Sequence, residues 1–220
     1  MQVMRIQNHN SNRVNNIAFK QILRNNISAN TIKNKKFLLF ISGPSGVGKD
    51  AAMAEISDKF NKVVTHTTRP KRQGEIDGLS YFYTTVEKFV EGIKNNEFVE
   101  YVKSFSGNYY GTKKETIKKA LNDEKPALLI IDVDGAKNIK KNLQNDPNIK
   151  TVSIFFRPPS LDTLKQRLLK RGTETAKAIE ERLGRAKYEM DNAKYFDAEI
   201  QVNNIPETLN DLKELLQLSW

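Results

Sequence analysis

The densest chemistry in this chain lies between Gly43 and Asp50. Gly43-Pro44-Ser45-Gly46-Val47-Gly48-Lys49-Asp50 has the spacing of a glycine-rich phosphate loop, with Asp where such loops place Ser or Thr. Glycines let the backbone curl until successive N–H groups converge on one anion. Lys49 adds a point charge for the outer phosphates of a triphosphate. A helix expected from Lys49 to about Phe60 brings the positive end of its dipole to the same place. Asp132, which ends the apolar run starting at Ala127, is a candidate metal-proximal carboxylate; taken alone it is equally an acid at a strand end. The stretch from Thr65 to Tyr81 carries Arg69 and Arg72 three residues apart, then a Gly-Glu turn and a tyrosine. Arginine forks of this kind suit an anion that can be bound bidentately.

These residues need a scaffold, and the pattern of apolar runs supplies one. Phe37–Ile41, Ala127–Ile131 and Thr151–Phe156 are short continuous runs suited to strands buried on both faces. Between and after them, Leu161, Leu164, Leu168 and Leu169, and again Leu209, Leu212, Leu215 and Leu216, recur at helical spacing. The alternation predicts an α/β fold, a central parallel sheet flanked by helices. Residues from about 67 to 112 break the rhythm and read as an inserted α+β lobe.

Composition narrows the function classes. The 220-residue chain has no cysteine, so disulfide frameworks, thiolate metal sites and thiol nucleophiles are excluded. With His9 and His66 as the two histidines, a multi-histidine metal centre is excluded as well. His66 reads as structural. Hydrophobic content of 38% and charged content of 28% fit a globular domain, and no apolar run approaches membrane-spanning length. Of the net charge of +10, the acid-free leader 1–36 carries +7 through Arg5, Arg13, Lys20, Arg24, Lys33, Lys35 and Lys36, which leaves +3 for residues 37–220. The charge therefore gives no reason to expect nucleic acid as a partner of the body. The leader is rich in asparagine, which favours turns over helix, and reads as a disordered extension; an organelle transit peptide is the alternative.

With the remaining motifs the chain resembles the guanylate kinase family. They are the phosphate loop, T-T-R-x-x-R-x-G-E-x-D-G-x-x-Y from Thr67 to Tyr81, G-N-Y-Y-G-T from Gly107 to Thr112, P-P-S at Pro158–Ser160, R-L-x-x-R-G-T-E-T from Arg167, and a further E-R-L. The resemblance covers Phe37 to Trp220. It implies a P-loop kinase that moves the γ-phosphoryl group of ATP to GMP and dGMP with Mg2+, in purine nucleotide metabolism and GMP recycling in the cytoplasm. Its substrates are then ATP and GMP, with no nucleic acid or membrane partner. It implies a core at 37–66 and 113–220, a GMP-binding lobe at about 67–112, and a lid at about 172–177.

The resemblance also implies residue roles. Arg69, Arg72, Tyr81 and Tyr110 look like the clamp on the GMP phosphate. Glu100 and Asp132 look like the carboxylates that read guanine, with the Thr65 and Thr112 hydroxyls beside them. Gly43, Pro44, Ser45, Gly46, Val47, Gly48, Lys49, Asp50, Arg167, Arg171 and Asn203 fall to ATP, and Lys49, Arg69, Arg171 and Arg182 to catalysis. Asp50 and Asp132 are the metal candidates. Three positions depart from the family pattern: Asp50 for the usual hydroxyl, Ile130 where an acid is usual, and Asp134 where Gln is common. They bear on metal geometry more than on substrate. Two other readings stay open at this point. One is a related small-molecule kinase such as ribose 1,5-bisphosphate phosphokinase, whose loop also ends Lys-Asp. The other is a catalytically dead guanylate-kinase-like module that binds protein partners.

Overall fold

The computed structural model describes residues 5–6, 37–104, 107–123, 125–172 and 175–216. They fold as a mixed α/β protein in which a central parallel sheet is flanked by helices. The chain divides into two compact units. One is built from Ile41–Ser57 and the chain from Val152 onward, the other from Lys36–Phe40 and Asp58–Thr151. Strand β2, Phe37–Ser42, runs through both and is buried along its whole length. The strands of the main sheet follow the order β1 (Arg5–Ile6), β10 (Ala198–Gln201), β9 (Lys150–Arg157), β2, β8 (Ala127–Ile130) and β3 (Asn61–Lys62).

The first unit carries β9, Lys150–Arg157, and β10, Ala198–Gln201, paired in parallel with Ile154 opposite Ala198. Their apolar faces close on helices. Helix α1, Lys49–Glu55, follows the phosphate loop directly. It is shorter than its sequence suggests: Ile56 closes it and a 3-10 turn, Ser57–Lys59, takes over. Helix α5, Leu161–Arg171, starts at Ser160, whose side chain accepts from Thr163 N–H, and buries Leu164 and Leu168. Helix α6, Ala176–Asp191, is capped in the same way by Thr175, which accepts from Ala178 N–H. Of the lid expected at 172–177, Gly172 and Thr175 lie between these two helices and Ala176 and Lys177 open α6; Thr173 and Glu174 lie outside the described residues. Helix α7, Ile205–Leu216, buries Leu212, Leu215 and Leu216. Of the leader, Arg5–Ile6 is described, a two-residue strand β1 parallel to β10; the expectation of a disordered extension otherwise lies outside the described residues.

The second unit pairs β3, Asn61–Lys62, with β8, Ala127–Ile130, in parallel. It also carries a second, four-stranded sheet in the order β5-β4-β7-β6. Its members are β4, His66–Thr67; β5, Phe82–Tyr83; β6, Phe98–Lys103; and β7, Tyr109–Lys113. Strand β4 runs parallel to β5 and antiparallel to β7, and β6 runs antiparallel to β7. Helices α2, Val86–Lys94, and α3, Lys114–Leu121, flank these strands, and α4, Val133–Leu143, follows β8. Phe89 and Phe98 stack at 4.4 Å in the lobe core. The mixed sheet and its helix are what the broken rhythm of residues 67–112 pointed to.

Candidate active site

The candidate residues fall into two groups, each inside one unit. The first is the phosphate loop and its surroundings. Gly43 leaves β2 with φ +146°, and a Cβ there would collide with the carbonyl oxygen of Phe156 on β9. A glycine is required at that close approach. Val47 N–H donates to Pro44 C=O at 3.1 Å and tightens the loop. Lys49 folds back over it, donating from Nζ to the carbonyls of Gly43 and of Pro44, the latter at 3.1 Å. An ammonium placed there stands over the backbone curl in which phosphate oxygens are expected.

Two arginines from α5 and α6 reach the same loop. Arg182 Nη1 donates to Ser45 Oγ. Arg167 donates to Val47 C=O at 3.0 Å, and to the carbonyls of Val202 and Asn203 at 2.9 Å each. Its guanidinium thus ties the loop to the segment after β10, where Asn203 Nδ2 donates to Glu207 at 3.1 Å. Arg171, the last residue of α5, and Asp50, in the first turn of α1, are both exposed. Among the described residues no group of three or more His, Asp or Glu stands ready to hold a metal ion.

The second group is centred on Arg69. Its backbone N–H donates to Thr67 Oγ1 at 3.1 Å. Its guanidinium donates from Nη2 to Glu75 Oε1 at 2.7 Å and from Nη1 to Pro70 C=O at 2.6 Å, 5.4 Å from the centre of the Tyr81 ring. Tyr81 and Tyr110 lie edge to face at 6.1 Å. The structure therefore brings Arg69, Tyr81 and Tyr110 together. Arg72 contributes its backbone N–H, bonded to Glu75 Oε2 at 2.8 Å, while the residue itself is exposed.

Glu75 and Tyr83 belong to this group and were not singled out from the sequence. Tyr83 OH donates to Glu75 Oε2 at 2.7 Å. The bond to Arg69 holds the Glu75 carboxyl down at about 2. Burial, then the bond to Glu75, pushes the Tyr83 phenol up to about 12. The signal in the sequence was the Gly-Glu turn after the two arginines; only the fold shows that its acid turns back toward them.

Glu100 and Thr112 face each other across β6 and β7. Lys113 opposes Phe98, yet Thr112 opposes Glu100, because the register shifts between Phe98 and Glu100. That irregularity re-aims the β6 side chains, and Thr112 Oγ1 donates to Glu100 Oε1 at 2.6 Å. Glu100 is 4% exposed and its Oε2 has no hydrogen-bond partner. Burial raises its carboxyl to about 7, the charge of Asp132 pushes the same way, and the Thr112 bond opposes them. Asp132 caps α4, accepting from Gly135 N–H at 2.7 Å, so the acid at the strand end is also a helix cap. Thr65 precedes β4, and its carbonyl accepts from Phe82 N–H at 2.8 Å. His66 packs its ring 4.8 Å from Phe82 and 5.9 Å from Phe98, and burial lowers it to about 4. It packs as a structural residue, as the sequence suggested, though on the four-stranded sheet of the lobe.

The chain is similar to known proteins. The profile of the family described as guanylate kinase matches residues 35–219. The chain is 39% identical over 189 residues to the guanylate kinase of Rickettsia felis, spanning 84% of this chain and 95% of that relative. Against the guanylate kinase of Prochlorococcus marinus strain MIT 9312 the identity is 39% over 189 residues, spanning 84% and 100%. In three dimensions the chain is similar to the crystal structure of guanylate kinase from Anaplasma phagocytophilum, with a TM-score of 0.65, 26% identity, and 83% and 85% of the two chains covered.

Proposed function

The chain belongs to the guanylate kinase family and is an ATP:GMP phosphotransferase, and from that premise we propose how its residues divide the work. The observation that carries the proposal is the Arg69–Tyr81–Tyr110 cluster and the buried Glu100–Thr112 pair in the unit that also holds Asp132, with the Lys49 loop in the other unit.

GMP presents a dianionic phosphate and a guanine edge. Arg69 and Arg72 take the phosphate, with Tyr81 and Tyr110 donating phenolic hydrogens, since guanidinium forks match its oxygens. Guanine offers N1–H and the exocyclic amino group side by side as donors. Glu100 and Asp132 accept them, with Thr65 and Thr112 beside the base. Adenine would leave a buried carboxylate unpaired, which is a large penalty. A ribose bisphosphate offers no such donor pair, so the buried Glu100 favours GMP over it. dGMP presents the same phosphate and the same guanine edge to these residues, and is accepted too.

ATP lies with its phosphates in the loop Gly43, Pro44, Ser45, Gly46, Val47, Gly48 and Lys49, and its adenine near Asn203. Arg167 holds the loop against that segment. Lys49, Arg69, Arg171 and Arg182 supply the positive charge that stabilises the dispersed negative charge of the transferring phosphoryl group. Mg2+ takes oxygen ligands and is bound through one or two carboxylates plus substrate phosphates. The exposed carboxylate of Asp50, next to Lys49, fits that donor chemistry, with Asp132 as the second candidate. When bound, the ion neutralises phosphate charge. Among the described residues no helix is long and apolar enough to cross a membrane, and we place the reaction in the cytoplasm, in GMP recycling for purine nucleotide metabolism.

The test is a coupled assay of ADP formation with ATP, Mg2+ and each of GMP, dGMP, AMP, UMP and ribose 1,5-bisphosphate. GMP and dGMP are expected to stimulate turnover and the others not. Turnover indifferent to GMP overturns this reading.

A further inference from the structure

We propose that Glu75 is a positioning residue for the phosphate clamp: its carboxylate, braced by Tyr83, holds the Arg69 guanidinium in the orientation that receives the monophosphate. The inference rests on the assignment of Arg69 to the GMP phosphate and adds to it two residues, Glu75 and Tyr83, that reach the phosphate only through Arg69.

Both oxygens of Glu75 are engaged. Oε1 accepts from Arg69 Nη2 at 2.7 Å, while Oε2 accepts from Arg72 N–H at 2.8 Å and from Tyr83 OH at 2.7 Å. The turn that presents Glu75 closes on itself, because Glu75 N–H donates to Arg72 C=O at 3.2 Å. Gly74 sits in that turn at φ +81°, and a Cβ there would meet nothing within 4 Å. Glycine is needed at this position for its backbone alone. Tyr83 is fixed in turn, since its N–H donates to Asp77 Oδ1 at 3.0 Å and β5 pairs with β4 through Thr67. Thr67, fully buried, accepts the Arg69 N–H. Strands β4 and β5 and the turn between them thus converge on one carboxylate.

The physical purpose follows from the arginine. A guanidinium on a long side chain loses rotamer freedom when it engages a phosphate. Glu75 and Pro70 fix the fork beforehand while committing two of the five N–H donors a guanidinium carries. A carboxylate so close would also cancel the charge that attracts the phosphate. The Tyr83 hydroxyl and Arg72 N–H draw that negative charge to themselves, which explains why Oε2 takes two donors while Oε1 faces Arg69.

The experiment compares the full-length protein with Glu75→Gln and Tyr83→Phe. It measures GMP and guanosine binding by calorimetry, and kcat and KM for both substrates. Gln keeps an acceptor for Arg69 but turns an N–H2 toward the Arg72 N–H, breaking the bracket. Expected are a roughly tenfold weaker GMP affinity for Glu75→Gln, near the lower end for losing a hydrogen bond to a charged group, and a roughly threefold loss for Tyr83→Phe, which touches the phosphate only through two other residues. Guanosine, without the phosphate, is expected to bind all three proteins alike, and KM for ATP is expected to stay put. Equal or tighter GMP binding by Glu75→Gln overturns the proposal. So does a matched loss for guanosine and ATP together with a lowered melting temperature, which marks a merely structural role. A wild-type protein that binds no GMP removes the parent assignment and this one with it, whereas wild-type binding with unaffected variants removes this one alone.

Discussion

Glu100 concentrates the tension of the site in one side chain. It is buried, one oxygen is bonded to Thr112 and the other has no partner, and its carboxyl is raised to about 7 from 4.5. Between those two values the folded protein holds a proton that the unfolded chain has released, so stability falls as pH rises across the window. Guanine, however, requires the acceptor form. GMP affinity is therefore expected to climb as pH rises toward and through 7, opposite in sign to stability. Asp211, raised to about 6 chiefly by burial and by Glu214 and Glu207, gives stability the same downward slope at lower pH. The diagnostic is thus the difference between wild type and Glu100→Gln in chemical denaturation at pH 5 and pH 8. The variant is expected to flatten the slope by on the order of 2 kcal/mol and to lose the pH dependence of GMP binding along with most of its affinity. Parallel slopes in the two proteins would show that Glu100 does not titrate in this window.

At the scale of elements, the strand-loop-helix unit β2–loop–α1 was the most legible part of the sequence. A run such as Phe37–Phe40 can be buried on both faces, the glycines punctuate it, and a helical segment follows. The length of α1 was not legible, because nothing between Glu55 and Phe60 breaks the helix on propensity alone. The lobe strands β4 and β5 are two residues long and gain their conformation from pairing, which a single sequence does not display. The register shift in β6 was equally hidden. Without it Val99 would oppose Thr112, and Glu100 would point to the other face. The chemistry of α1 carries its own test through Asp50, exposed on its first turn. A carboxylate is a good ligand for a hard cation and a poor neighbour for a bare triphosphate. Mg2+ is therefore expected to strengthen ATP binding several-fold more in the wild type than in Asp50→Ser. Calorimetric titration of ATP into both proteins, with Mg2+ and with EDTA, measures that gain. An equal gain in both removes Asp50 from the metal's surroundings.

For the whole molecule, the residues proposed for ATP and those proposed for GMP belong to different compact units of the chain. The Arg69–Tyr81–Tyr110 and Glu100–Thr112 contacts were legible as motifs; the bracket from Glu75 and Tyr83 was not, since it depends on how a turn folds back on a strand. The body also defines what catalysis needs from the chain. Among the described residues buried core begins at Phe37, 1% exposed, and continues through Ile41; the family match opens at residue 35; and no residue proposed for ATP or GMP precedes Gly43. The described part of the leader adds the strand Arg5–Ile6, opposite Glu199 and Ile200 at the edge of β10. Two residues at a sheet edge offer few backbone hydrogen bonds, each with a net effect of about 0.5–1.5 kcal/mol. In a protein of this size about 1 kcal/mol corresponds to roughly 2–4 °C. A truncation beginning at Lys35 is accordingly expected to keep kcat and both KM values within about twofold, with a melting temperature lower by a few degrees at most. Uncovering the β10 edge makes pairing between copies the side effect to watch, and size-exclusion chromatography run beside the kinetic assay reports it. A truncated protein that fails to fold, or that folds and loses most of its turnover, would give the leader a part in the catalytic body.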